Sequence, residues 1–346
     1  MRQAKDAAPG DKETPRGYAI HRDTLDGRTR RECASGVRAP EAGMRVEPAG
    51  TVDVHVHCGP EGIVRRYDPV QIAQHAAEVG LRTMVLKSHF TGTGGWAEIA
   101  HRLTGVRLCG SVTLNHHVGG INPFAVRAAL GPADETGSYL KVVWLPTVHA
   151  AAHLATMRAR GERHDVPPEW SGGVLSRVAE RLEAVTPISV LADSVQQPLD
   201  DVLRLIAAHR LVLATGHVGR DEVFHVVRRA RSLGVDRIMV THAQGSPPGL
   251  EPGDHEALAA AGAFMELTYV TLDMGRVSAR DTAALIRRVG AQHVVLSSDL
   301  GQVDTVPPGE GLVRFRELLL AEGLTAREVD MTLRDNPSAL LGLGPA

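Results

Sequence analysis

The residues that could do chemistry come first. Asp53-Val54-His55-Val56-His57 sits in a short apolar run, and on a strand the side chains at i and i+2 share a face. His55 and His57 then project together, with Val52, Val54 and Val56 turned toward packing helices. Two adjacent imidazoles suit one divalent metal ion. Three later apolar runs each end in a further metal-competent residue: Ala214-Thr215-Gly216-His217, Met239-Val240-Thr241-His242 and Ser297-Ser298-Asp299. Any one of these could be a capping or core residue, and an HxH pair can arise by accident. Their recurrence at strand ends points to a metal centre. The chemistry of such a centre is water activation at neutral pH, with polarisation of a carbonyl or phosphoryl group. Asp299 is placed to accept a proton from the water and pass it to the leaving group.

Weaker candidates surround this set. Lys87 and His89 form another i, i+2 pair at the end of an apolar run. Asn115, His116 and His117 lie beside Gly119-Gly120, a turn that could touch substrate. Trp144, Thr147, His149 and His153 could line a pocket, and Tyr269 could donate to a developing oxyanion. Cys58 reads as packing, and Lys141 as a structural lysine early on its strand.

The elements that must position these residues alternate. Strands are expected at 51–57, 81–87, 106–114, 139–145, 211–217, 237–242, 264–268 and 293–299. Helical patterns are expected at 124–130, 221–233, 255–261 and 281–289, and from the Asp68-Pro69 N-cap to Gly80. Eight strands alternating with helices predict an α/β fold, a (β/α)8 TIM barrel with active-site residues at the C-terminal strand ends. A doubly wound open sheet is the structural alternative. Residues 1–50 read as a polar N-terminal arm, and 51–346 as the barrel. An insertion at 147–210 is expected to lie over the barrel mouth, with helices at 173–184 and 199–208 and a strand-like stretch at 188–191. The tail at 311–343 looks helical.

Composition narrows the class. Hydrophobic residues make up 43% of the 346, charged residues 23%, and the formal net charge is −2, which gives no basic field for nucleic acid. The three cysteines, Cys33, Cys58 and Cys109, form no CxxC, which fits a reducing cytosol better than a disulfide framework. No apolar stretch approaches the roughly 20 residues of a membrane span, and no signal-peptide core is visible. The expectation is a cytoplasmic protein acting on a small molecule, with no nucleic-acid or membrane partner, as a homo-oligomer.

At this point the set resembles the amidohydrolase superfamily: HxH on strand one, His on strands five and six, Asp on strand eight. The chain more closely resembles the DUF6282 family, through Val85-Leu86-Lys87-Ser88-His89 and the stretches LNHHVGGINP (114–123), VWLPT (143–147), ATGH (214–217), SSDLGQ (297–302) and NPSALLGL (336–343). The resemblance covers about residue 50 to the C-terminus. It implies a TIM barrel binding one or two divalent ions, zinc first and manganese or iron as alternatives, through His55, His57, His217, His242 and Asp299. Two-metal members of the superfamily usually carry a bridging lysine or glutamate on strand four. This chain departs there, and Lys87 on strand two is expected to bridge if carboxylated, or to anchor substrate if not. Asp299, His242 and Lys87 are the expected catalytic residues, and His89, Asn115, His116, Trp144 and Tyr269 the expected substrate contacts. The resemblance implies hydrolysis of an amide, cyclic amide or lactone. Phosphoester hydrolysis, decarboxylation and a catalytically silent metal-binding barrel are the alternatives.

Overall fold

The computed structural model describes residues 45–344, so most of the expected arm lies outside the described residues. Its last residues are packed: Val46 is buried and its N–H donates to Val79 O at 2.7 Å.

Short runs, buried along almost their whole length, form the strands, as parallel sheets covered on both faces require. They are β1 (Val52–His57), β2 (Thr83–Lys87), β3 (Gly110–Thr113), β4 (Leu140–Trp144), β5 (Val212–Ala214), β6 (Ile238–Val240), β7 (Phe264–Thr268) and β8 (Val294–Ser297). β1 pairs with β2, and β3 to β8 form a parallel sheet in chain order. Hydrogen bonds join the two sheets at both edges. Leu86 N–H donates to Cys109 O and Cys109 N–H to Met84 O, both at 2.8 Å, which links β2 to the entry of β3. His57 N–H donates to Leu300 O at 2.8 Å and Asp299 N–H to His55 O at 2.9 Å, which links β1 to the segment after β8. A small antiparallel hairpin, 133–138, stands apart from this mixed α/β architecture.

The helices are α1 (Pro69–Val79), α2 (Gly94–Thr104), α3 (Pro123–Ala129), α4 (Ala151–Ala159), α5 (Asp193–Ala208), α6 (Arg220–Ser232), α7 (Pro252–Ala260), α8 (Tyr269–Asp273), α9 (Ala279–Val289), α10 (Pro308–Ala321), α11 (Ala326–Asp330) and α12 (Asn336–Leu341). Asp68 caps α1 through a capping box and Gly80 closes it at φ 77°, as the sequence signals predict. Among the described residues, no helix is long and apolar enough to cross a membrane.

Two apolar layers hold the strands. One joins strand residues such as Met84, Leu86, Val143 and Leu213 to the helices. The other is built almost entirely from strands, among them Val52, Val54, Val85, Val142, Trp144, Val212 and Val295, with Leu340 and Leu341 of α12. This corrects the expected facing of β1. Its register against β2 slips by one residue between Asp53 and Val56, and such a bulge breaks strict alternation. Val52 and Val54 therefore pack in the strand-only layer, while Val56 packs against the helices.

The segment between β4 and β5 also differs from expectation. No helix forms at 173–184; α4 forms upstream instead. The backbone of 173–184 pairs with a neighbouring stretch: Leu182 N–H donates to Arg163 O, and Asp165 N–H to Glu180 O, both at 3.1 Å. A segment whose backbone groups are satisfied laterally has none left for an internal helical ladder. α2 was not expected; its apolar stripe (Ala97, Ala100) is too sparse to stand out.

Candidate metal centre

β1, β2, β7 and the turns after β5, β6 and β8 converge on one spot. His55 Nε2 lies 2.9 Å from Asp299 Oδ1, and His57 Nε2 lies 3.2 Å from the same oxygen. His242 Nε2 is 3.5 Å from Asp299 Oδ2. Lys87 Nζ is 2.9 Å from His55 Nε2 and sits over the Trp144 ring at 4.6 Å. The His217 and His242 rings are 5.4 Å apart, the same separation as His55 and His57. His217, His242 and Asp299 do not lie on the strands, as the sequence suggested, but two or three residues beyond them. His242 and Asp299 adopt φ of 49° and 53°, and Gly216 before His217 adopts 64°. These left-handed turns swing the side chains back over the strand ends, at a cost for residues that carry a Cβ.

Hydrogen bonds at the far ring nitrogens decide which nitrogens face the centre. His55 Nδ1 lies 2.8 Å from Glu266 Oε1; a carboxylate accepts, so Nδ1 carries a proton, and Nε2, beside Asp299 Oδ1, is the nitrogen an ion would claim. Glu266 is itself held by Ser297 Oγ at 2.8 Å. His217 Nδ1 lies 3.2 Å from His153 Nδ1, and His153 Nε2 lies 2.8 Å from Asp165 O. A backbone carbonyl only accepts, so His153 Nε2–H donates to it and His153 Nδ1 accepts from His217. His217 Nε2 is thereby left unprotonated. His242 Nδ1 is 3.4 Å from Thr268 Oγ1. His57 Nδ1 is contested, with Lys87 O and Arg65 Nη2 both at 3.1 Å. Donation to Lys87 O frees Nε2, and an ion would select that tautomer.

The electrostatics suit neutral imidazole ligands. Burial, and then Arg65, hold the His57 pKa well below its usual value; burial, and then His153 and Lys87, do the same for His217. Burial puts His242 at about 4. At His55, burial opposes protonation, but Asp299 and Glu266 outweigh it and raise the pKa. Burial raises and the neighbouring imidazoles lower the Asp299 pKa, and the imidazoles win, so the carboxylate is held ionised. Burial brings Lys87 down to about 8. Beneath the site, Asp53 accepts from the His55 and Ser298 N–H groups; its other oxygen has no partner and burial pushes its pKa up to about 7.

The donor set fits a divalent ion. One ligand atom each of His55, His57 and Asp299 lies within 4.8 Å of the others, and N/N/O donors suit zinc, manganese or iron. An ammonium at Lys87 would oppose an ion beside His55 Nε2, so Lys87 fits only as a free amine or as a carbamate.

A cavity of about 530 Å³ opens above the centre, lined by His57, Lys87, His89, His217, His242 and Asp299 among others. The remaining expected substrate residues are not brought there. Trp144 is fully buried beneath His55, ring centroids 4.6 Å apart. Asn115 is buried and spends its amide on His89 O, Thr147 Oγ1 and Thr147 N. His116 bonds Thr186 O and lines a separate hollow with His117 and His149. Tyr269 packs on Phe315 and its hydroxyl bonds Asp273. Lys141 lies outside the cavity, and Cys58 packs in the core. Sequence reasoning missed Glu266, a carboxylate in the otherwise apolar run of β7, and Trp170, whose ring stacks on His89 at 5.3 Å.

Solved structures share this fold. A provisional 2-pyrone-4,6-dicarboxylic acid hydrolase from Pseudomonas putida aligns over 86% of this chain and 100% of its own, at TM-score 0.53 and 16% identity. The phosphotriesterase homology protein of Escherichia coli, with phosphate in its active site, aligns over 85% and 99%, at 0.52 and 12%. An amidohydrolase from Burkholderia multivorans with bound zinc aligns over 85% and 99%, at 0.51 and 12%. No curated protein matches the sequence. Residues 50–266 match the profile of DUF6282, a family of unknown function, and the chain belongs to that family.

Proposed function

We propose that the linked strands form a closed (β/α)8 barrel and that the chain is a metal-dependent hydrolase cleaving an amide, cyclic amide or lactone bond of a small molecule. The convergence of His55, His57 and Asp299 beneath a cavity of small-molecule size carries this reading. The zinc-containing amidohydrolase among the fold relatives is consistent with it.

His55, His57 and Asp299 would hold a first ion; the matching spacing of His217 and His242 supports a second, and Lys87, as a carbamate, would help to hold the pair. When bound, such ions supply Lewis acidity and an acidified water at neutral pH. Glu266 keeps the His55 proton at Nδ1, and His153 keeps the His217 proton there too. Asp299, held ionised, takes the proton of the attacking water and returns it to the leaving nitrogen or oxygen. His89, with Thr147 Oγ1 at its Nδ1, faces the cavity and orients the substrate. Zinc is the proposed native metal and the cytosol the proposed compartment. Exposed Ile99 and Leu103, one turn apart on α2, support self-association.

Metal content per chain, measured on protein purified without chelator beside His55→Ala, tests the reading together with a lactone and amide panel. About two equivalents of metal, lost in the variant, with turnover abolished by chelation and restored by zinc, is the expected result. Metal-free protein from cells grown with ample zinc and manganese would leave a silent barrel.

A further inference from the structure

α4 and its C-cap carry a stripe of which the hydrolase reading uses only His153. His153, Met157 and Arg160 follow one another at i, i+4 and i+7, so they share one face of the helix. All three line the cavity. His153 is buried at the level of His217, and Arg160 is exposed at the rim. Seven residues at about 1.5 Å each separate these two levels by roughly 10 Å along the axis.

The charges along the cavity are one-sided. Among the described residues its lining holds Arg65, Lys87, Arg160 and Arg276, with Asp299 the only carboxylate. Arg65 is neutralised by Glu61, and Arg276 pairs with Glu169 at 2.7 Å. Lys87 belongs to the floor. Among the described residues the Arg160 guanidinium has neither an ion pair nor a hydrogen bond, although its charge reaches His153. Apolar side chains, Met157, Met274, Val270 and Leu250, share the lining with the neutral polar Thr271 and Gln244.

We propose that the substrate of this site is an elongated small molecule with a carboxylate at its far end, which Arg160 binds while the scissile bond lies at the His55–Asp299 floor. An arginine fork matches a carboxylate in two hydrogen bonds, and the apolar side chains of the lining accept the chain between the two ends. This inference rests on the hydrolase reading only for the word substrate; the anion site itself requires no turnover.

The test is calorimetric titration of the zinc-loaded full chain with succinate, adipate and suberate, against adipamide and suberamide as neutral matches. A longer dicarboxylate is expected to bind more tightly than its diamide and to weaken with added salt. Arg160→Gln should cost roughly fivefold in that affinity, and Arg160→Lys should recover part of it, with zinc content and melting temperature unchanged. Equal affinity for dicarboxylate and diamide, or no loss in Arg160→Gln, overturns the proposal. Binding that depends on Arg160 without hydrolysis of any lactone or amide breaks the hydrolase reading and leaves the anion site standing. Hydrolysis without Arg160-dependent binding breaks only this inference.

Discussion

Two histidine-rich regions of the molecule differ in what their ring nitrogens are left to do. At the cavity floor, His55 and His217 each have Nδ1 engaged by a group that fixes its proton, so Nε2 is the nitrogen turned toward the centre. In the neighbouring hollow, His149 accepts from His116 N–H at Nδ1 and bonds Asp165 Oδ2 through Nε2 at 3.1 Å, so nothing remains for a ligand. His116 and His117 stack around it, with ring centroids 4.9 and 4.6 Å away. Both regions are crowded with imidazoles, but among the described residues only the floor brings histidine and aspartate ligand atoms within 4.8 Å of one another. Density of histidine marks neither a metal site nor a structural one; the partner at the far nitrogen does.

The largest effect expected from this contrast is at Asp299. Asp299→Asn keeps a side chain that tolerates the left-handed backbone at φ 53°, so the fold should persist while kcat falls about 10³-fold. Full turnover in the variant would remove Asp299 from proton transfer. Next is Glu266→Gln, which replaces a pure acceptor by an amide at His55 Nδ1. Metal affinity, read by competition with a chromophoric chelator, should drop about 10- to 100-fold. His153→Phe keeps the ring and removes the acceptor for His217. It should weaken the more loosely held ion about tenfold, with a changed visible spectrum in the cobalt form, and His153→Gln should restore part of the loss. His149→Phe is the mirror case. It leaves Asp165 Oδ2 short of its partner and should cost about 1–3 kcal/mol of stability in a denaturant titration, with metal content untouched. A loss of metal there would collapse the distinction between the two regions.

The subtlest effect concerns Asp53, whose carboxyl pKa is raised to about 7 in the fold against 3.8. Between those values the folded state holds a proton that the unfolded state has lost, so stability falls as pH rises from about 4 to 7. In metal-free protein Asp53→Asn should flatten that slope; an identical slope in both would assign it to other groups.

The sequence announced the HxH pair because adjacency on one strand is local information, and it announced His217, His242 and Asp299 because each closes an apolar run. The bulge in β1 was invisible, since register is set by β2 rather than by β1 itself. Glu266 left a readable trace, a carboxylate inside a buried strand of mostly apolar residues. Trp170 and Arg160 left none, and His153 showed only as one of several pocket candidates near the insertion. Their meaning depends on how 147–192 folds back over the strand ends, and the glycine-flanked stretch 173–184 looked helical while pairing laterally. Trp144 and Tyr269 erred the other way: strand-end position suggested contact, but one lies beneath the site and the other turns into the core.

The left-handed backbone at His242 and Asp299 has an evolutionary consequence. Glycine occupies such conformations freely, so a descendant that exchanged either residue for glycine would gain on the order of 1 kcal/mol of backbone relief. It would also leave buried groups that face the lost side chain without a partner, at a cost of about 1–3 kcal/mol. Relief and loss are therefore of similar size, and exchange at either position would cost function more than stability. This chain has taken neither step.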